Sequence, residues 1–173
     1  MPASYTPKTR DSEAQEQTSS QSLQTNLSAA EATVRDVLTG KGGALFSLAP
    51  DDTIAQAVAM LKDKGVGALL VRDGQGALVG ILSERDIVRQ MAETPGETLP
   101  RLVRDLMSAE VETSSPDETL VRVLRRMTDG RFRHMPVIED GALIGLVSIG
   151  DVVNFRLTAL EYEALQLKQL IVG

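Results

Sequence analysis

The sequence contains no cysteine and a single histidine among its 173 residues. The absence of cysteine excludes disulfides and thiolate chemistry, and one histidine cannot supply a multi-histidine metal site by itself. No apolar run approaches the roughly 20 residues of a membrane helix, and the N-terminus lacks the basic-then-apolar order of a secretory signal. We therefore expect a cytoplasmic protein without a bound metal and without membrane contact.

Positive charge is also scarce, with 18 Lys and Arg residues against 24 Asp and Glu residues and a formal net charge of −6. This balance disfavours nonspecific binding to nucleic acid or to anionic membranes, although a local basic cluster can still hold a small anion. DNA regulation would need a basic reading helix, which the sequence does not offer. Small anionic ligands are not excluded by this charge balance.

The familiar motifs of catalysis and phosphate binding are missing. Residues 40–43, Gly-Lys-Gly-Gly, lack the spaced leading glycine and the following Ser or Thr of a phosphate-binding P-loop, so we interpret them as a flexible loop. No Gly-x-Gly-x-x-Gly follows a strand, and no set of Ser, His and acid suggests a nucleophile elbow. The sequence predicts a protein that is not an enzyme.

The chain repeats itself from residue 33 onward. Three segments return 65 to 69 residues later: TVRDVL (33–38) as LVRDLM (102–107), PDDTI (50–54) as PDETL (116–120), and SERD (83–86) as SIGD (148–151). Before the repeats, residues 1–32 are rich in Ser, Thr, Gln and Glu, which predicts a flexible tail. The expected organisation is therefore a tail (1–32), a first motif (33–94), a linker (95–101), a second motif (102–160) and a C-terminal helical extension (161–173).

Both repeats show the same order of helical and strand patterns. Apolar residues at helical spacing follow Thr53 and Thr119, which are well placed for an N-cap region: Ile54, Ala57, Val58 and Leu61 in one repeat, and Leu120, Val123, Leu124 and Met127 in the other. Two short apolar runs around a turn then predict a hairpin in each repeat, with a further short strand near residues 45–48 and 111–113. We predict an α/β fold of the α+β type, made of two β-α-β-β-α units that pair because one unit of about 60 residues buries little apolar surface alone.

The residues after each hairpin carry a family resemblance. The segments GILSERD (80–86), GLVSIGD (145–151) and RFRHMPV (131–137) resemble the CBS motif, and the resemblance spans about residues 33–160. The chain is similar to the small stand-alone CBS pairs of bacteria, also called Bateman modules. The resemblance implies a pseudo-twofold pair that binds AMP, ADP, ATP, S-adenosylmethionine or NAD(H) between its motifs, with AMP as our first expectation.

Asp86 and Asp151 are the candidate ribose ligands. Each lies on the first turn of a helix, three residues after Ser83 or Ser148, and a carboxylate there can accept hydrogen bonds from two vicinal ribose hydroxyls. The alternative is a capping box, in which the serine hydroxyl and the carboxylate satisfy free backbone N–H groups. The resemblance favours the ribose role, while both serines are expected to cap their helices.

Arg131, Arg133 and His134 form the densest basic cluster and precede a predicted strand. Such a cluster can neutralise phosphate, which the resemblance also implies for Arg133 and His134, and Arg85 is placed to reach the same phosphate. The alternative is a solvated basic loop. No nucleophile or paired base accompanies the cluster, so proton transfer is not expected.

The aligned positions of the first repeat carry small residues, which let a backbone approach a flat adenine base closely. Val66, Gly67 and Ala68 are therefore the candidate base contacts, after a helix C-cap at Gly65. Met135 and Pro136, which follow the basic cluster, complete the candidate set. Because the two repeats differ here, we expect one strong site and one modified or weak site.

The last helix carries an apolar seam. Its members alternate four and three residues apart: Val153, Leu157, Leu160, Ala164, Leu167 and Ile171. Such a seam packs either against the body of the protein or against another helix, and CBS pairs commonly form disc-like homodimers. The sequence thus favours a nucleotide sensor that acts on an unknown downstream protein. The alternative is a ligand-independent module for dimerisation and protein interaction.

Overall fold

The computed structural model describes residues 31–172. The tail predicted for residues 1–32 lies almost wholly outside them. The helices are α1 (Val34–Lys41), α2 (Ile54–Lys64), α3 (Glu84–Glu93), α4 (Val103–Leu106), α5 (Leu120–Gly130) and α6 (Ile149–Val172), and the strands are β1 (Ser47–Leu48), β2 (Ala68–Arg72), β3 (Leu78–Ser83), β4 (His134–Glu139) and β5 (Ala142–Ser148). None of the helices in this part of the chain is long and apolar enough to span a bilayer.

The first repeat builds a three-stranded sheet beside α2. Thr53 caps α2 by accepting a hydrogen bond from the Gln56 backbone N–H, and α2 ends at Gly65 in the left-handed conformation, as predicted. The antiparallel hairpin of β2 and β3 follows, and β1 joins β2 in parallel, so the short strand predicted near residues 45–48 is confirmed. On α2 the buried face is formed by Ile54, Ala57 and Leu61, whereas Val58 is exposed.

The second repeat builds a smaller sheet. Strands β4 and β5 pair antiparallel, and His134 lies opposite Ser148 as Ala68 lies opposite Ser83 in the first repeat. The strand predicted near residues 111–113 is wrong for this part of the chain, because Ser114 makes only an isolated parallel bridge to Val137. Thr119 occupies the N-cap position of α5, but its side chain accepts no capping hydrogen bond.

The opening segments of the two repeats are exchanged between the cores. Val34 and Val37 of α1 are buried with the second repeat, among Leu120, Val123, Met135 and Val147. Val103 of α4 is buried with the first repeat, together with Ile54, Leu69 and Leu82. Backbone hydrogen bonds anchor both crossings: the Val34 N–H donates to the Glu118 carbonyl at 3.0 Å, and the Val103 N–H donates to the Asp52 carbonyl at 2.8 Å. Each repeat therefore completes the core of the other.

Equivalent glycines receive the exchanged segments. A Cβ atom on Gly145 of β5 would lie 2.6 Å from Leu38 Cδ2, and one on Gly80 of β3 would lie 2.5 Å from Met107 Sδ. Real Cβ atoms do not approach other atoms so closely, so a side chain at either glycine would force the side chain of Leu38 or Met107 to move. Leu38 follows α1 residue Val37 as Met107 follows α4, which makes the two contacts counterparts in the repeat.

Candidate ligand-binding clefts

Two clefts lie on either side of a thin wall. Gly67 and His134 line both clefts, and a Cβ atom added to Gly67 would lie 3.4 Å from His134 Nε2. The first cleft has a volume of about 770 Å³, and its other lining residues include Ile81, Ser83, Arg85, Asp86, Arg89, Val111, Arg131, Phe132 and Arg133. The second has a volume of about 480 Å³ and includes Leu38, Lys41, Phe46, Val66, Ala68, Ile144, Ser148 and Asp151.

Asp86 enters the first cleft from a capping box at the start of α3. Its Oδ2 accepts hydrogen bonds from the Ser83 backbone N–H at 3.0 Å and from Ser83 Oγ at 2.5 Å, while the Asp86 N–H donates to Ser83 Oγ at 3.4 Å. Within residues 31–172 no hydrogen bond reaches the second carboxylate oxygen, Oδ1. The cap thus fixes the orientation of Asp86 and leaves one acceptor oxygen for a ligand.

Four arginines share the first cleft with Asp86. Arg85 and Arg89 lie one helical turn apart on α3, and Arg131 and Arg133 come from the loop before β4. Among the described residues none of these four guanidinium groups forms an ion pair. Free guanidinium groups on two sides of a cavity suit a ligand that carries phosphate.

Arg131 holds an unusual backbone conformation at the mouth of the first cleft. It is the C-cap of α5 with φ 57° and ψ 32°, in the left-handed region that glycine occupies at the equivalent Gly65. The Arg131 carbonyl accepts a hydrogen bond from Arg85 Nη1 at 3.2 Å, so the two repeats are tied together across the cleft. Keeping a non-glycine residue in this region costs about 1 to 2 kcal/mol.

The second cleft contains an internal ion pair. Asp151 Oδ2 accepts hydrogen bonds from the Ser148 backbone N–H at 2.7 Å and from Lys41 Nζ at 2.5 Å, and Lys41 also donates to the Leu146 carbonyl. Burial by itself raises the pKa of Asp151, but the hydrogen bonds from Lys41 and Ser148 outweigh burial and leave this pKa below its ordinary value. Asp151 is therefore already neutralised by a cation of the same chain, unlike Asp86.

Two stretches of the chain, residues 31–93 and 103–158, match the family model of the CBS domain. The chain belongs to the CBS-domain family. It is 40% identical over 130 residues to the mitochondrial CBS domain-containing protein CBSX3 of Arabidopsis thaliana, a match that covers 70% of this chain and 63% of that protein. The predicted fold, a tandem CBS pair of mixed α and β structure, is confirmed.

Solved structures share the CBS-pair architecture. A CBS-domain containing protein of Agrobacterium tumefaciens superposes with a TM-score of 0.71 at 37% identity, over 73% of this chain and 95% of that one. The CBS domain pair of protein MJ0100, in complex with 5′-methylthioadenosine and S-adenosyl-L-methionine, superposes with a TM-score of 0.63 at 23% identity, over 71% of this chain and 94% of that one. At that identity the second comparison shows the fold alone.

The structure divides the candidate residues between the two clefts. Asp86, Ser83, Arg85, Arg131 and Arg133 line the first cleft, whereas Val66, Ala68, Ser148 and Asp151 line the second. Only Gly67 and His134 reach both. The candidate base contacts Val66 and Ala68 therefore lie in a different cleft from the candidate phosphate contacts Arg131 and Arg133.

Two candidates line neither cleft. The Met135 side chain is fully buried in the core of the second repeat, and Pro136 is buried beside it on β4. Strand residues alternate between faces, so Met135, which directly follows the cleft residue His134, points toward the core. We therefore do not carry forward a base contact through the side chain of Met135 or Pro136.

Three cleft residues were missed from the sequence. Lys41 ends α1 and is not part of a flexible loop, and it reaches Asp151, 110 residues further along the chain. Arg89 follows Arg85 by four residues, a spacing that places both on one face of α3 and that could have identified it. Phe132, between two candidate arginines, lines the first cleft and offers a flat apolar surface there.

His134 in the wall is held as a neutral imidazole. Burial lowers its pKa below the ordinary 6.5, and the positive charge of Lys41 lowers it further, against weaker opposition from Asp151 and Glu84. The lowered pKa therefore argues against the prediction that His134 contributes positive charge to a phosphate site near neutral pH. As a neutral side chain it can still donate one hydrogen bond.

The pKa of His134 predicts a pH dependence of stability. Below about pH 6.5 the unfolded chain binds a proton that the folded protein resists, so the free energy of unfolding should fall as the pH decreases through this range. Because the chain has one histidine, a His134→Gln variant should lose less stability than the wild type between pH 7 and pH 5.5. Thermal denaturation at closely spaced pH values measures this difference, and parallel pH profiles for both proteins would contradict the interpretation.

Proposed function

We propose that this CBS pair is a non-catalytic regulatory module that binds an adenine nucleotide in its first cleft. AMP is the first candidate ligand, and ADP, ATP, NAD(H) and S-adenosylmethionine are the alternatives. The observation that carries the proposal is the presence of Asp86, with one free carboxylate oxygen, and four unpaired arginines around a single cavity. Carboxylate and guanidinium groups together match a ligand that has both vicinal hydroxyls and phosphate.

The first cleft offers a partner for each part of a nucleotide. Asp86 Oδ1 accepts hydrogen bonds from ribose hydroxyls, and the arginines from α3 and from the loop before β4 face the phosphates. Ile81, Val111 and Phe132 provide apolar surface for the base. The volume of about 770 Å³ lies within the range of roughly 300 to 1,000 Å³ that is usual for small-molecule sites.

The ligands of a structural relative support the same chemical class. The CBS pair of protein MJ0100 was crystallised with 5′-methylthioadenosine and S-adenosyl-L-methionine, both of which contain adenosine. Neither carries phosphate, whereas the four arginines in this chain favour a phosphorylated ligand. We therefore place the nucleotides ahead of S-adenosylmethionine.

The second cleft is the weaker site in this proposal. A ribose there would compete with Lys41 for Asp151, and the ion pair would have to open before the carboxylate could accept a ribose hydroxyl. The second cleft is also smaller, at about 480 Å³ against about 770 Å³. We expect one nucleotide per chain at moderate concentration, bound in the first cleft.

Regulation follows if the nucleotide binds one arrangement of the two repeats better than another. Arg85 already connects α3 of the first repeat to the Arg131 carbonyl of the second, and a ligand that contacts both arginines would favour the arrangement that holds them together. The equilibrium shifts by no more than the difference in affinity between the arrangements. The downstream target would be a protein that binds one arrangement of the two repeats better than the other.

A ligand-independent interaction module is the second candidate function. Both capping boxes are complete without a ligand, and the apolar seam of α6 is exposed. On this alternative Asp86 and Asp151 act only as helix caps. Nucleotide binding decides between the two candidates.

The deciding experiment is thermal denaturation of the full chain with AMP, ADP, ATP, NAD, NADH and S-adenosylmethionine. At a ligand concentration of about 100 times Kd the folded state gains about 2.7 kcal/mol, which corresponds to a rise in Tm of about 5 to 10 °C for a chain of this size. We expect a saturable rise with at least one nucleotide. No shift with any of the six, in folded protein free of copurified nucleotide, would leave the interaction module as the function.

A further inference from the structure

The bridging segment (residues 108–114) connects the two hairpins and lines one side of the first cleft. At its start Ser108 exchanges two backbone hydrogen bonds with Ile81 of β3, at 2.9 and 3.1 Å. At its end the Ser114 N–H donates to the Pro136 carbonyl at 3.0 Å, and the Ser114 carbonyl accepts a hydrogen bond from the Ile138 N–H at 2.9 Å. Both repeats therefore hold this segment in place beside the cleft.

The bridging segment brings acidic groups into a cleft that also contains four arginines. Glu110 and Glu112 line the first cleft, as do Glu84 and Asp86 of α3, so the cleft has as many carboxylates as guanidinium groups. Within residues 31–172 no ion pair joins one of these carboxylates to an arginine of the cleft. Both sets of charges therefore act on a ligand, and the carboxylates limit the negative charge that the arginines can hold.

Arg126 of α5 neutralises Glu112 from outside the cleft. Its Nη2 donates to Glu112 Oε2 and to the Thr113 carbonyl, the latter at 3.0 Å, and its Nη1 donates to Glu118 Oε2 at 2.9 Å. Arg126 does not line the first cleft itself. Glu110, by contrast, is exposed and forms no ion pair in the part of the chain that the structure describes.

The charges that remain match a single phosphate group. With Glu112 offset by Arg126, the four arginines face three carboxylates, those of Glu84, Asp86 and Glu110. A phosphate monoester carries a charge of about −2 near neutral pH, and each further phosphate in a chain adds about one negative charge. A monophosphate therefore leaves the cleft close to neutral, whereas a triphosphate places unbalanced negative charge beside Glu84 and Glu110.

We infer that the bridging segment determines the phosphate specificity of the first cleft: Glu110 makes the cleft select AMP over ADP and ATP, and Arg126 is a positioning residue that keeps the charge of Glu112 from acting on the phosphate. The inference rests on the proposed function and adds to it the length of the phosphate chain. Without the acidic groups, four arginines would instead favour the ligand with the most phosphate.

Calorimetric titration of the full chain with adenosine, AMP, ADP and ATP, at low ionic strength and without divalent metal, tests the role of Glu110. We expect the wild type to bind AMP at least about fivefold more tightly than ATP, and Glu110→Gln to bind ATP about fivefold more tightly than the wild type does. The affinity for adenosine, which carries no phosphate, should not change, although a general distortion of the cleft would change it.

Glu97→Gln is the matched control for Glu110→Gln. It makes the same change of charge at an exposed residue that lines neither cleft. All four affinities should stay within about twofold of the wild-type values, because a charge outside the cleft is screened by solvent and salt.

Arg126→Gln tests the positioning role. It leaves the Glu112 carboxylate unpaired, so the loss of affinity should grow with the number of phosphates, from adenosine to ATP. The variant should also be less stable, because Glu118 loses the same partner. Arg126→Gln combined with Glu112→Gln should recover the affinity for AMP while the Tm stays low, which separates the effect of charge from a loosening of the fold.

Three outcomes would overturn the inference. The first is wild-type protein that binds ATP as tightly as AMP or more tightly, and the second is a preference for AMP that Glu110→Gln leaves unchanged; both leave the proposed function intact. The third is wild-type protein that binds none of AMP, ADP and ATP. In that case the proposed function fails as well only if NAD, NADH and S-adenosylmethionine also leave the Tm unchanged.

Discussion

Replacing Asp86 by alanine is expected to weaken nucleotide binding by about 100-fold. The change removes the carboxylate that accepts the ribose hydroxyls, and hydrogen bonds to charged groups contribute about 1.5 to 3 kcal/mol each, so a loss of about 2.8 kcal/mol follows. The same variant loses a capping partner of Ser83, which costs the folded protein about 1 kcal/mol. Calorimetric titration below the lowered Tm separates the effect on binding from the effect on stability.

Asp151→Ala is the matched control for Asp86→Ala. It removes the same position of the same capping box in the other repeat, and it leaves the first cleft unchanged. We expect a loss of stability at least as large, because Lys41 also loses its partner, with less than about a threefold change in affinity. If Asp151→Ala abolishes binding while Asp86→Ala does not, the nucleotide occupies the second cleft and the proposed assignment of the sites is reversed.

A second large effect is expected from shortening Val34 to alanine. Val34 is fully buried, and removal of two methyl groups at about 0.8 kcal/mol each, together with the cavity left behind, lowers the free energy of unfolding by about 2 kcal/mol. Because Val34 completes the core of the second repeat, amide protection against hydrogen exchange should fall in β4 and β5 more than in β2 and β3.

Val103→Ala provides the reciprocal test. Val103 is equally buried but belongs to the core of the first repeat, so here the loss of protection should be larger in β2 and β3. Equal losses in both hairpins for both variants would mean that the two cores unfold as one unit. Loss in the hairpin of the same repeat as the substitution would contradict the exchange of opening segments.

The elements that were predicted correctly depend on neighbours in the sequence. Thr53 before an apolar helix, Gly65 at its end and Ser83 three residues before Asp86 each fix a cap through atoms a few residues apart. The hairpins follow in the same way from two apolar runs around a turn. That the two repeats pack against each other as a pair was predicted from the family resemblance.

The exchange of opening segments was not predicted, because an apolar pattern shows that a residue is buried but not against which partner. Val34 and Val103 repeat so regularly that each was assigned to the motif that it opens. The Lys41–Asp151 pair was missed for a related reason, since 110 residues separate its members and no local pattern connects them. The division of the candidate residues between two clefts likewise depends on tertiary structure alone.

The seam of α6 shows the same limit in another form. Its spacing was evident in the sequence, but packing on the body and packing on another helix need the same apolar residues. Only the exposed fractions of Leu157, Leu160 and Leu167 in the folded chain show that the seam does not pack on the body.

The exchanged segments also set an order for folding. All residues of the first core lie between Phe46 and Met107, so this core can close as soon as that stretch of chain is available. The second core joins Ala32, Val34 and Val37 to residues that begin at Leu120, more than eighty positions later, and closing so long a loop carries a larger entropic cost. Along the chain, the residues of the first core thus lie between the two parts of the second core. We expect the first core to form early during synthesis. Helix α1 can pack only later, after the rest of the second core has been synthesised.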